Sequence, residues 1–393
     1  MLLRRAWAEI NLDHVAFNIE QIRSILPPYT QIMAVIKSNA YGHGDRRIAQ
    51  LLVELGVTRF AVSNLDEAIA LRHYGIIGDI LILGATPPEG FGQLAAYKIT
   101  QTVFSPEYAE MLNQYGLDYQ LRFQVHIKID TGMHRIGFSY DDLDAMKKIF
   151  AYQGMIIKGV FTHFSVADQL NLADRRYTQM QVDRFDTCLF QLRDFPFGMT
   201  HAQNSAGIVN YRDYTYDLVR PGVLMFGVPS GEIQRDLELK PAMELKSKVA
   251  MVKQVSIGAE IGYGRDFTAE RDMRIATIPI GYGDGYPRSV SGKGARVLIN
   301  GQYAQLVGKV CMDQLMVDVT DIDDVQVGDT VILVGEDQGK SISLASLSEL
   351  AGTITNELLC RISARVPREY VQQVKQTQET QELVKFEHFL RNS

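Results

Sequence analysis

The stretch Ala34-Val35-Ile36-Lys37-Ser38-Asn39-Ala40-Tyr41-Gly42-His43-Gly44 places a lysine at the end of a short apolar run, directly before a polar, glycine-rich turn. The run at residues 32–36 is apolar, β-branched and bounded by that turn, which indicates a buried strand. Burial of the lysine stem disfavours the ammonium form, so Lys37 would be available as a nucleophile or base. Schiff-base chemistry with a carbonyl cofactor is one reading. A lysine that merely ends a strand at the surface is the other.

Strand-like runs alternate with helical patterns from about residue 30 to residue 225. The eight runs lie at residues 32–36, 60–62, 80–83, 102–104, 123–129, 159–164, 199–201 and 217–219. This alternation predicts an α/β fold with an N-terminal (β/α)8 TIM-like barrel. No G-x-G-x-x-G motif follows the first strand, which disfavours a doubly wound dinucleotide-binding sheet.

The character of the sequence changes near Lys240-Pro241. From there, β-rich runs follow one another closely at residues 250–255, 275–280, 295–299, 305–310, 314–319 and 330–334, with strand-like spacing again at residues 361–371. This pattern predicts a C-terminal, mostly antiparallel β domain. We therefore expect a barrel at residues 1–240, a β domain at residues 241–371, and a charged, glutamine-rich tail at residues 372–393 forming a loose helix. Residues 1–9 are expected to pair with the second domain.

Composition excludes several classes of protein. The chain has 393 residues and a formal net charge of -6, which argues against nucleic acid as the main partner. No stretch approaches the roughly 20 apolar residues of a membrane span. The three cysteines are odd in number and far apart, which suits a reducing compartment and predicts a cytoplasmic protein. The histidines show no paired metal-ligand spacing, so no metal site is predicted.

Polar residues stand at the carboxyl ends of the predicted barrel strands, where barrel enzymes collect their reactive groups. They are Lys37, Lys128, Asp130, Thr162, His163, His201, Asn204, Ser205, Arg220 and Gly222. Asn204, Ser205 and the Gly222 amide follow the last two strands, where barrels tend to bind phosphate, so they suit a phosphoester. For His163 and His201, a place beside a cofactor ring and a satisfied core position stay equally open.

Two glycine-tyrosine motifs mark the second domain: Gly262-Tyr263-Gly264-Arg265 and Gly281-Tyr282-Gly283-Asp284-Gly285-Tyr286-Pro287-Arg288. An aromatic ring between glycines lies on a turn, where it can be exposed and yet held in one place; a hairpin tyrosine packed on a neighbour is the alternative. Polar residues also interrupt two strand runs at Met312-Asp313, which indicates a functional turn.

At this point the sequence resembles the alanine racemase family of fold-type III pyridoxal-phosphate enzymes. The motifs AVIKSNAYGHG, KIDTGMHRIGF, HAQNSAG, VRPG, IGYGRDF, IPIGYGDGYPR and VCMDQLMVD occur in order, and the match runs from Trp7 to Arg368. The resemblance implies pyridoxal 5'-phosphate, a small amino-acid substrate and a head-to-tail homodimer. Each active site would be completed by the partner's second domain. Relatives supply D-alanine as a peptidoglycan precursor or degrade it, and the sequence leaves both roles open.

The resemblance also implies roles for individual residues. Lys37 would hold the cofactor as a Schiff base and serve as one base, with Tyr263 of the partner subunit as the second. Tyr41, Asn204, Ser205, Gly222 and Val223 would surround the phosphate, His163 would lie by the ring, and Arg220 would face the pyridine nitrogen. Arg135, Met312, Asp313 and Tyr282 would act on the substrate side, where Arg135 steadies the ring hydroxyl and Tyr282 narrows the entrance. Lys128 matches a position that can carry a carbamate, helping to fix Arg135.

Arg220 distinguishes between activities on this scaffold. A guanidinium cannot accept the pyridine proton, so the cofactor would be a weaker electron sink and prompt reprotonation would be favoured. Related decarboxylases of the same barrel carry an acidic residue there, so arginine favours a racemase. A cofactor-carrying protein without turnover is a third alternative, and Tyr263 weighs against it.

Asn356 departs from the family pattern, since the alanine enzymes usually carry a tyrosine at this position. That tyrosine touches the phosphate and crowds the substrate side chain, and the resemblance implies that Asn356 takes its place among the cofactor-binding residues. Asparagine is smaller and can form hydrogen bonds, so a hydroxymethyl side chain could be admitted. A pocket with one added hydroxyl contact discriminates modestly. We therefore expect alanine as first substrate and a broader serine/alanine specificity as the alternative.

Overall fold

The computed structural model describes residues 4–229, 231–233 and 237–373. The first elements are β1 (Ala6–Asn11) and α1 (Leu12–Ser24). The next strands are β2 (Gln31–Val35), β3 (Arg59–Val62), β4 (Asp79–Ile82), β5 (Thr100–Val103), β6 (Phe123–Asp130), β7 (Phe138–Ser139), β8 (Met155–Phe161), β9 (Met199–His201) and β10 (Leu218–Val219). The helices among them are α2 (Lys37–Tyr41), α3 (Asp45–Glu54), α4 (Leu65–His73), α5 (Phe91–Ala96), α6 (Pro106–Asp118), α7 (Leu143–Ile149), α8 (Leu172–Gln191) and α9 (Ser205–Asn210).

The parallel strands β2, β3, β4, β5, β6, β8, β9 and β10 pair in this order, and β10 returns to β2. The predicted barrel is thus confirmed. Side chains of β2 alternate between two sides, as the pleat requires: Ile32 and Ala34 join the main apolar core, while Met33 and Val35 join a second, smaller cluster. The carboxyl ends of all eight strands meet at one rim.

One predicted strand was placed too late. The run at residues 159–164 belongs to β8, which begins at Met155 and ends at Phe161. The first half of β8 carries the exposed side chains of Ile156 and Lys158. A polar residue inside an apolar run therefore obscured where the strand begins.

The second domain contains a ten-stranded sheet within the described residues. Its further elements are β11 (Met243–Lys248), β12 (Met251–Val255), β13 (Glu260–Ile261), β14 (Phe267–Thr268), β15 (Met273–Ile278), β16 (Arg296–Ile299), β17 (Gln302–Val307), β18 (Leu315–Asp318), β19 (Thr330–Asp337), β20 (Lys340–Ile342), α10 (Leu344–Ala351), α11 (Thr355–Arg361) and β21 (Arg368–Val371). The order is β12-β15-β18-β17-β16-β19-β11-β1-β21, with β20 beside β19 and the hairpin β13–β14 separate. The prediction of a mostly antiparallel β domain is confirmed.

Strand β1 lies in this second sheet, antiparallel to β11 and parallel to β21. The strand-like spacing predicted at residues 361–371 is wrong over its first half, because Arg361 is the last residue of α11 and the strand begins only at Arg368, after Pro367. The helix predicted for the tail falls almost wholly on residues 374–393, outside the described residues. Among the described residues, none of the helices has the length and apolar character to cross a bilayer.

Candidate active site

Lys37 begins a turn with an unusual backbone. Ser38, Asn39, Ala40 and Tyr41 have φ angles of 53°, 55°, 52° and 51°, and Gly42 follows at 80°. This is a left-handed turn, which costs roughly 1–2 kcal/mol per non-glycine residue. The turn therefore requires stabilising contacts from its surroundings.

The carboxylate of Glu67 stabilises the first half of this turn. It accepts a hydrogen bond from the Ser38 amide through Oε1 and another from the Ser63 amide through Oε2, both at 2.7 Å. Glu67 lies in the first turn of α4, after the N-cap Asn64, whose side chain accepts from the Glu67 amide at 3.0 Å. One side chain thus links the ends of β2 and β3.

The second domain stabilises the other half of the turn. A Cβ added at Gly42 would collide with the carbonyl oxygen of Leu359 in α11. Arg368 donates from Nε to the Gly42 carbonyl at 2.8 Å, and the Tyr370 hydroxyl donates to the His43 carbonyl at 3.2 Å. The lysine turn is thus held between the barrel and the second domain of the same chain.

Five basic side chains gather at the rim of the barrel, which we call the barrel-mouth cluster: Lys37, Lys128, Arg135, His163 and Arg220. The pKa of Lys37 is lowered by burial first and by the charge of Arg135 second. The pKa of His163 is lowered well below its usual value by burial and then by Arg220, Lys128, Arg135 and Lys37. This excess of positive charge suits an anionic ligand.

Lys128 is the most deeply buried lysine of the cluster, with 2% of its surface exposed. Its Nζ has no hydrogen-bond partner among the described residues and lies 5.3 Å from the ring centroid of Phe161. Burial, followed by the charges of Arg220 and Arg135, lowers its pKa to about 7. A large fraction of this side chain is therefore neutral amine near pH 7.

Arg220 follows β10 and is held by acceptors from neighbouring strand ends. Nη1 contacts His201 Nδ1 at 2.8 Å, and Nη2 donates to the carbonyls of Thr162 and Ala202, each at 2.8 Å, and contacts His163 Nδ1 at 3.3 Å. Burial and then Arg135 lower the pKa of the guanidinium to about 9. The group keeps its charge at pH 7 in a fixed orientation.

His201 continues this network into the barrel. An arginine can only donate, so Nδ1 of His201 accepts, and its protonated Nε2 donates to His126 Nδ1 at 2.7 Å. Burial and then Arg220 lower the pKa of both histidines, that of His126 to about 3. The question left open for His201 is thereby answered: it is a satisfied core histidine. His126, in β6, was missed in the sequence, because its partner His201 lies two strands away in β9, on the far side of β8.

Asn204, Ser205 and Gly222 come together after β9 and β10. Asn204 is the N-cap of α9 and accepts from the Gly207 amide at 2.9 Å. Ser205 Oγ accepts from the Gly222 amide at 2.9 Å. A Cβ added at Gly222 would lie 2.5 Å from the Tyr41 hydroxyl, so only glycine leaves room there. Burial raises the pKa of that hydroxyl, which stays protonated and can donate.

Val223 follows Gly222 as the first residue of a short 3-10 helix, Val223–Phe226. Its side chain is buried, as is the Gly222 backbone. Together with Tyr41, these residues line the rim beside Arg220. The structure thus brings together every residue predicted for phosphate binding except Asn356, which comes from the second domain.

Asn356 lies in α11, the helix whose Leu359 carbonyl faces Gly42 and which packs on α2. Its Oδ1 lies 3.4 Å from the Thr355 hydroxyl, which can donate to it. Cys360, on the same helix, is exposed. It lies close enough to Lys37 to raise the pKa of that lysine, although burial and Arg135 lower this pKa by more. Helix α11 therefore brings second-domain side chains to the lysine turn.

Tyr263, Tyr282, Met312 and Asp313 lie in the second domain, and we call these four residues the tyrosine face. Tyr263 is 70% exposed, Met312 52% and Tyr282 42%. The Tyr282 amide donates to the Cys311 carbonyl at 3.0 Å, and Asp313 pairs with Arg365 at 2.5 Å. Among the described residues, no hydrogen bond or ion pair joins the tyrosine face to the barrel-mouth cluster.

Asp130 has a local structural task. Its Oδ1 accepts from the amides of Gly132 and His134, both at 3.0 Å. This fixes the loop that carries Arg135. Within the part of the chain that the structure describes, no three His, Cys, Asp or Glu residues are grouped in a way that could hold a metal ion.

Comparison with known proteins shows similarity over both domains. The family models "Alanine racemase, N-terminal domain" and "Alanine racemase, C-terminal domain" match residues 10–230 and 242–370. Alanine racemase 1 of Clostridium acetobutylicum is 42% identical over 94% of this chain and 96% of its own length. The solved alanine racemase of Clostridium difficile 630 is 39% identical with a TM-score of 0.89, covering 95% of this chain and 97% of its own. The solved histidine racemase of Leuconostoc mesenteroides subsp. sake is 32% identical with a TM-score of 0.84, covering 94% and 99%.

Proposed function

This chain belongs to the alanine racemase family, and on that basis we propose that it interconverts L-alanine and D-alanine with pyridoxal 5'-phosphate bound at the barrel mouth. The observation that carries the proposal is that Lys37, with its lowered pKa, and the fixed guanidinium of Arg220 both act on the same side chain, His163, at the barrel mouth. Lys37 is suited to binding a carbonyl group, and Arg220 is suited to donating a hydrogen bond to an electron-rich ring atom.

The residues at the rim fit this cofactor. Gly222 has no Cβ at a point where one would press on the Tyr41 hydroxyl, so a phosphate can approach the backbone there. Ser205, Asn204 and the protonated Tyr41 hydroxyl would bind phosphate oxygens, with Val223 behind them and Asn356 reaching in from α11. When bound, the cofactor would supply an electron sink for the charge left on the substrate α-carbon as its proton departs.

Lys37 would be the base on one face of the substrate. Racemisation removes the α-proton from one face and returns a proton to the other, so two bases on opposite faces are required for a direct exchange. Burial and Arg135 lower the pKa of Lys37, which increases the fraction of neutral amine able to take the proton.

Tyr263 of the partner subunit would be the base on the opposite face. Its ring is 70% exposed in the single chain, on a hairpin turn whose Arg265 pairs with Glu260 at 3.2 Å. In a head-to-tail homodimer the tyrosine face would cover the partner's barrel mouth. The Met312 amide and Asp313 would then meet the substrate carboxylate region, and Tyr282 would narrow the entrance.

Arg220 would influence which reaction follows the removal of the α-proton. Its N–H groups would donate a hydrogen bond to the cofactor's ring nitrogen. Because a guanidinium has no acceptor, it could not accept a hydrogen bond from that nitrogen in a protonated form. The hydrogen bonds that the guanidinium donates to His201 Nδ1 and to the carbonyls of Thr162 and Ala202 would keep it in place. This arrangement favours prompt reprotonation of the α-carbon over transamination. An arginine at the position where related decarboxylases carry an acidic residue favours a racemase over a decarboxylase. His163 would lie beside the ring as a neutral imidazole.

Lys128 would carry a carbamate. Its neutral amine would attack carbon dioxide, forming an N–C bond and releasing one proton. The new anion would lie among the charges of Arg220 and Arg135, which already act on the Lys128 amine. It would give the unpartnered Nζ a function, and fix Arg135 beside the substrate.

Serine is the second candidate substrate, and Asn356 is the observation that favours it. An asparagine where the alanine enzymes carry tyrosine leaves space and a hydrogen-bonding group on α11 near Lys37. The solved histidine racemase of Leuconostoc mesenteroides subsp. sake supports the idea that this fold can accept side chains other than that of alanine. The three cysteines are unpaired, which supports a reducing, cytoplasmic setting.

Exchange of the α-proton with solvent tests the function. The holoenzyme in deuterium oxide should exchange the α-proton of both alanine enantiomers and interconvert them, with slower exchange of serine. Lys37→Ala is the control and should lose both activities. Release of carbon dioxide from amino acids, or absence of exchange with bound cofactor, would reject the racemase proposal in favour of a decarboxylase or a carrier.

A further inference from the structure

A cavity of about 380 Å³ lies at the end of the barrel opposite the barrel-mouth cluster. Its walls include Arg59, Asp79, Thr100 and Met199, which are the first residues of β3, β4, β5 and β9. Small-molecule sites typically measure roughly 300–1,000 Å³ and combine apolar walls with a few placed polar groups. The residues proposed for racemisation lie elsewhere, at the carboxyl ends of the strands or in the second domain.

His126 lies between this cavity and the barrel mouth. Alternate residues of a strand share a side, and Val125 and Ile127 of β6 join the main apolar core, so Gln124, His126 and Lys128 face into the barrel. Gln124 and His126 both line the cavity, and His126 is 6% exposed. The imidazole is therefore one layer closer to the amino end of the barrel than the amine of Lys128.

The hydrogen bonds of His126 determine which of its nitrogens carries the proton. Because Arg220 can only donate, His201 accepts at Nδ1 and donates from Nε2 to His126 Nδ1 at 2.7 Å. Burial lowers the pKa of His126 to about 3, so the ring is neutral and its proton is on Nε2. This N–H has no partner among the described residues. It is not one of their fully buried polar atoms without a partner, so it keeps accessible surface and can donate to a ligand.

Two cations line the cavity near this donor. Lys158 is the extra residue of a bulge in β8 opposite His126, and its side chain is exposed. After burial and Arg220, the charges of Arg59 and Lys158 lower the pKa of His126, which indicates that both lie near the ring. Asp79, whose Oδ2 lies 3.5 Å from Arg59 Nε, is the one carboxylate among the described lining residues. The lining therefore has one positive charge in excess.

Apolar side chains supply much of the remaining wall. Met33 and Leu81 belong to the smaller apolar cluster, and Met199 packs against it. Ile157 and Pro196 also line the cavity. A ligand here would meet apolar surface as well as the donor and the two cations.

We propose that this cavity binds a small carboxylate with an apolar body, whose carboxylate accepts from His126 Nε2 and lies beside Lys158. One negative charge balances the excess positive charge of the lining, whereas a dianion would add a second negative charge near Asp79. The carboxylate would also provide an acceptor for the last donor in the chain of hydrogen bonds that begins at Arg220. An unsatisfied donor of this kind is costly in a buried setting.

Calorimetric titration of the full chain, with pyridoxal phosphate present, tests the site. Benzoate, benzamide and benzamidinium share a shape and differ in charge. Benzoate should bind at least about tenfold more tightly than benzamide, because its hydrogen bonds are charge-assisted, and benzamidinium should not bind. Lys158→Met should weaken benzoate about three- to fivefold, as expected for an exposed cation, and leave benzamide unchanged. Equal affinities for benzoate and benzamide, or no effect of Lys158→Met, would overturn the proposal.

Lys253→Met is the matched control, since Lys253 is also an exposed lysine within a strand, in β12 of the second domain and outside the cavity lining. It should leave benzoate binding unchanged, and a loss equal to that in Lys158→Met would overturn the site. Crystals soaked in 4-bromobenzoate give a measurement that needs no variant. Anomalous bromine density at the amino end of the barrel, with the carboxylate at His126 Nε2, supports the site. Bromine density at the barrel mouth alone would overturn it.

Discussion

Nη1 of Arg220 donates to Nδ1 of His201 across 2.8 Å. Because the arginine can only donate, this contact determines which nitrogen of His201 carries the proton, and His201 in turn donates to His126 at 2.7 Å. A residue at the barrel rim is thereby oriented by two neutral histidines inside the barrel. The orientation of Arg220 depends on side chains that would not touch the substrate.

His201→Phe and His201→Asn separate these contacts. Phenylalanine can keep the stacking on Phe161 but removes the acceptor for Arg220, and an unsatisfied buried donor costs about 1–3 kcal/mol. Asparagine can place Oδ1 near the position of Nδ1. We expect the racemisation rate to fall at least about tenfold in His201→Phe and clearly less in His201→Asn. Equal rates in the two variants would show that the acceptor does not matter.

Gly222→Ala should weaken cofactor binding. The added Cβ would lie 2.5 Å from the Tyr41 hydroxyl and 3.0 Å from its Cζ, so the ring must move away from the phosphate site. We expect a loss of affinity of roughly tenfold, about 1.4 kcal/mol, in an absorbance titration with pyridoxal phosphate. The affinity lost through Gly222→Ala should be smaller in a Tyr41→Phe background than in the unaltered protein. Equal losses in the two backgrounds would contradict the clash.

Lys128 should make stability depend on pH. Burial lowers its pKa to about 7 in the folded chain, against 10.5 for a lysine in water. Between these values the unfolded chain holds a proton that the folded chain lacks, so stability rises as pH rises from 7 to 10.5. In buffer free of carbon dioxide, Lys128→Met should therefore be more stable than the unaltered protein at pH 7, by on the order of 4 kcal/mol. The difference should close by pH 10.5.

Lys158→Met, which removes an exposed lysine from β8, is the control for the loss of one charge in these denaturant titrations. Added bicarbonate should stabilise the unaltered protein and leave Lys128→Met unchanged if the carbamate forms. A pH-independent difference between Lys128→Met and the unaltered protein would show that the amine is not held neutral.

Asn356→Tyr should shift substrate preference. A tyrosine on α11 would fill the space near Lys37, so kcat/KM for serine should fall more than kcat/KM for alanine, by roughly tenfold in the ratio. Asn356→Ala keeps the space but removes the amide and serves as control. An equal loss for both substrates, or no loss, would remove the argument for serine.

Much of the fold followed from short-range patterns. Apolar runs bounded by turns marked each barrel strand, because a parallel strand is buried on both faces. The polar residues after those runs could be expected to meet, since parallel strands end at one rim; Lys37, Arg220 and His163 do so in the structure. The start of β8 was missed because Lys158 interrupts the apolar pattern.

Features that depend on distant contacts could not be predicted. Glu67 and Arg368, far along the chain, hold the left-handed turn after Lys37. Within Ser38-Asn39-Ala40, only asparagine is a residue type that visits that backbone, and then as a single residue, so the run does not predict the turn. The pairing of His126 with His201 depends on the register of β6 and β8 as well as on the network to Arg220. The place of Tyr263 in an active site remains a prediction.

Subunit complementation tests the central proposal most directly. Lys37→Ala and Tyr263→Phe are purified separately, then mixed under conditions in which subunits exchange. If each site combines Lys37 of one subunit with Tyr263 of the partner subunit, a mixed dimer has one intact site, and random exchange should restore about one quarter of the original racemase activity. Activity that stays at the level of the separate variants, despite demonstrated exchange, would contradict a two-base site shared between subunits.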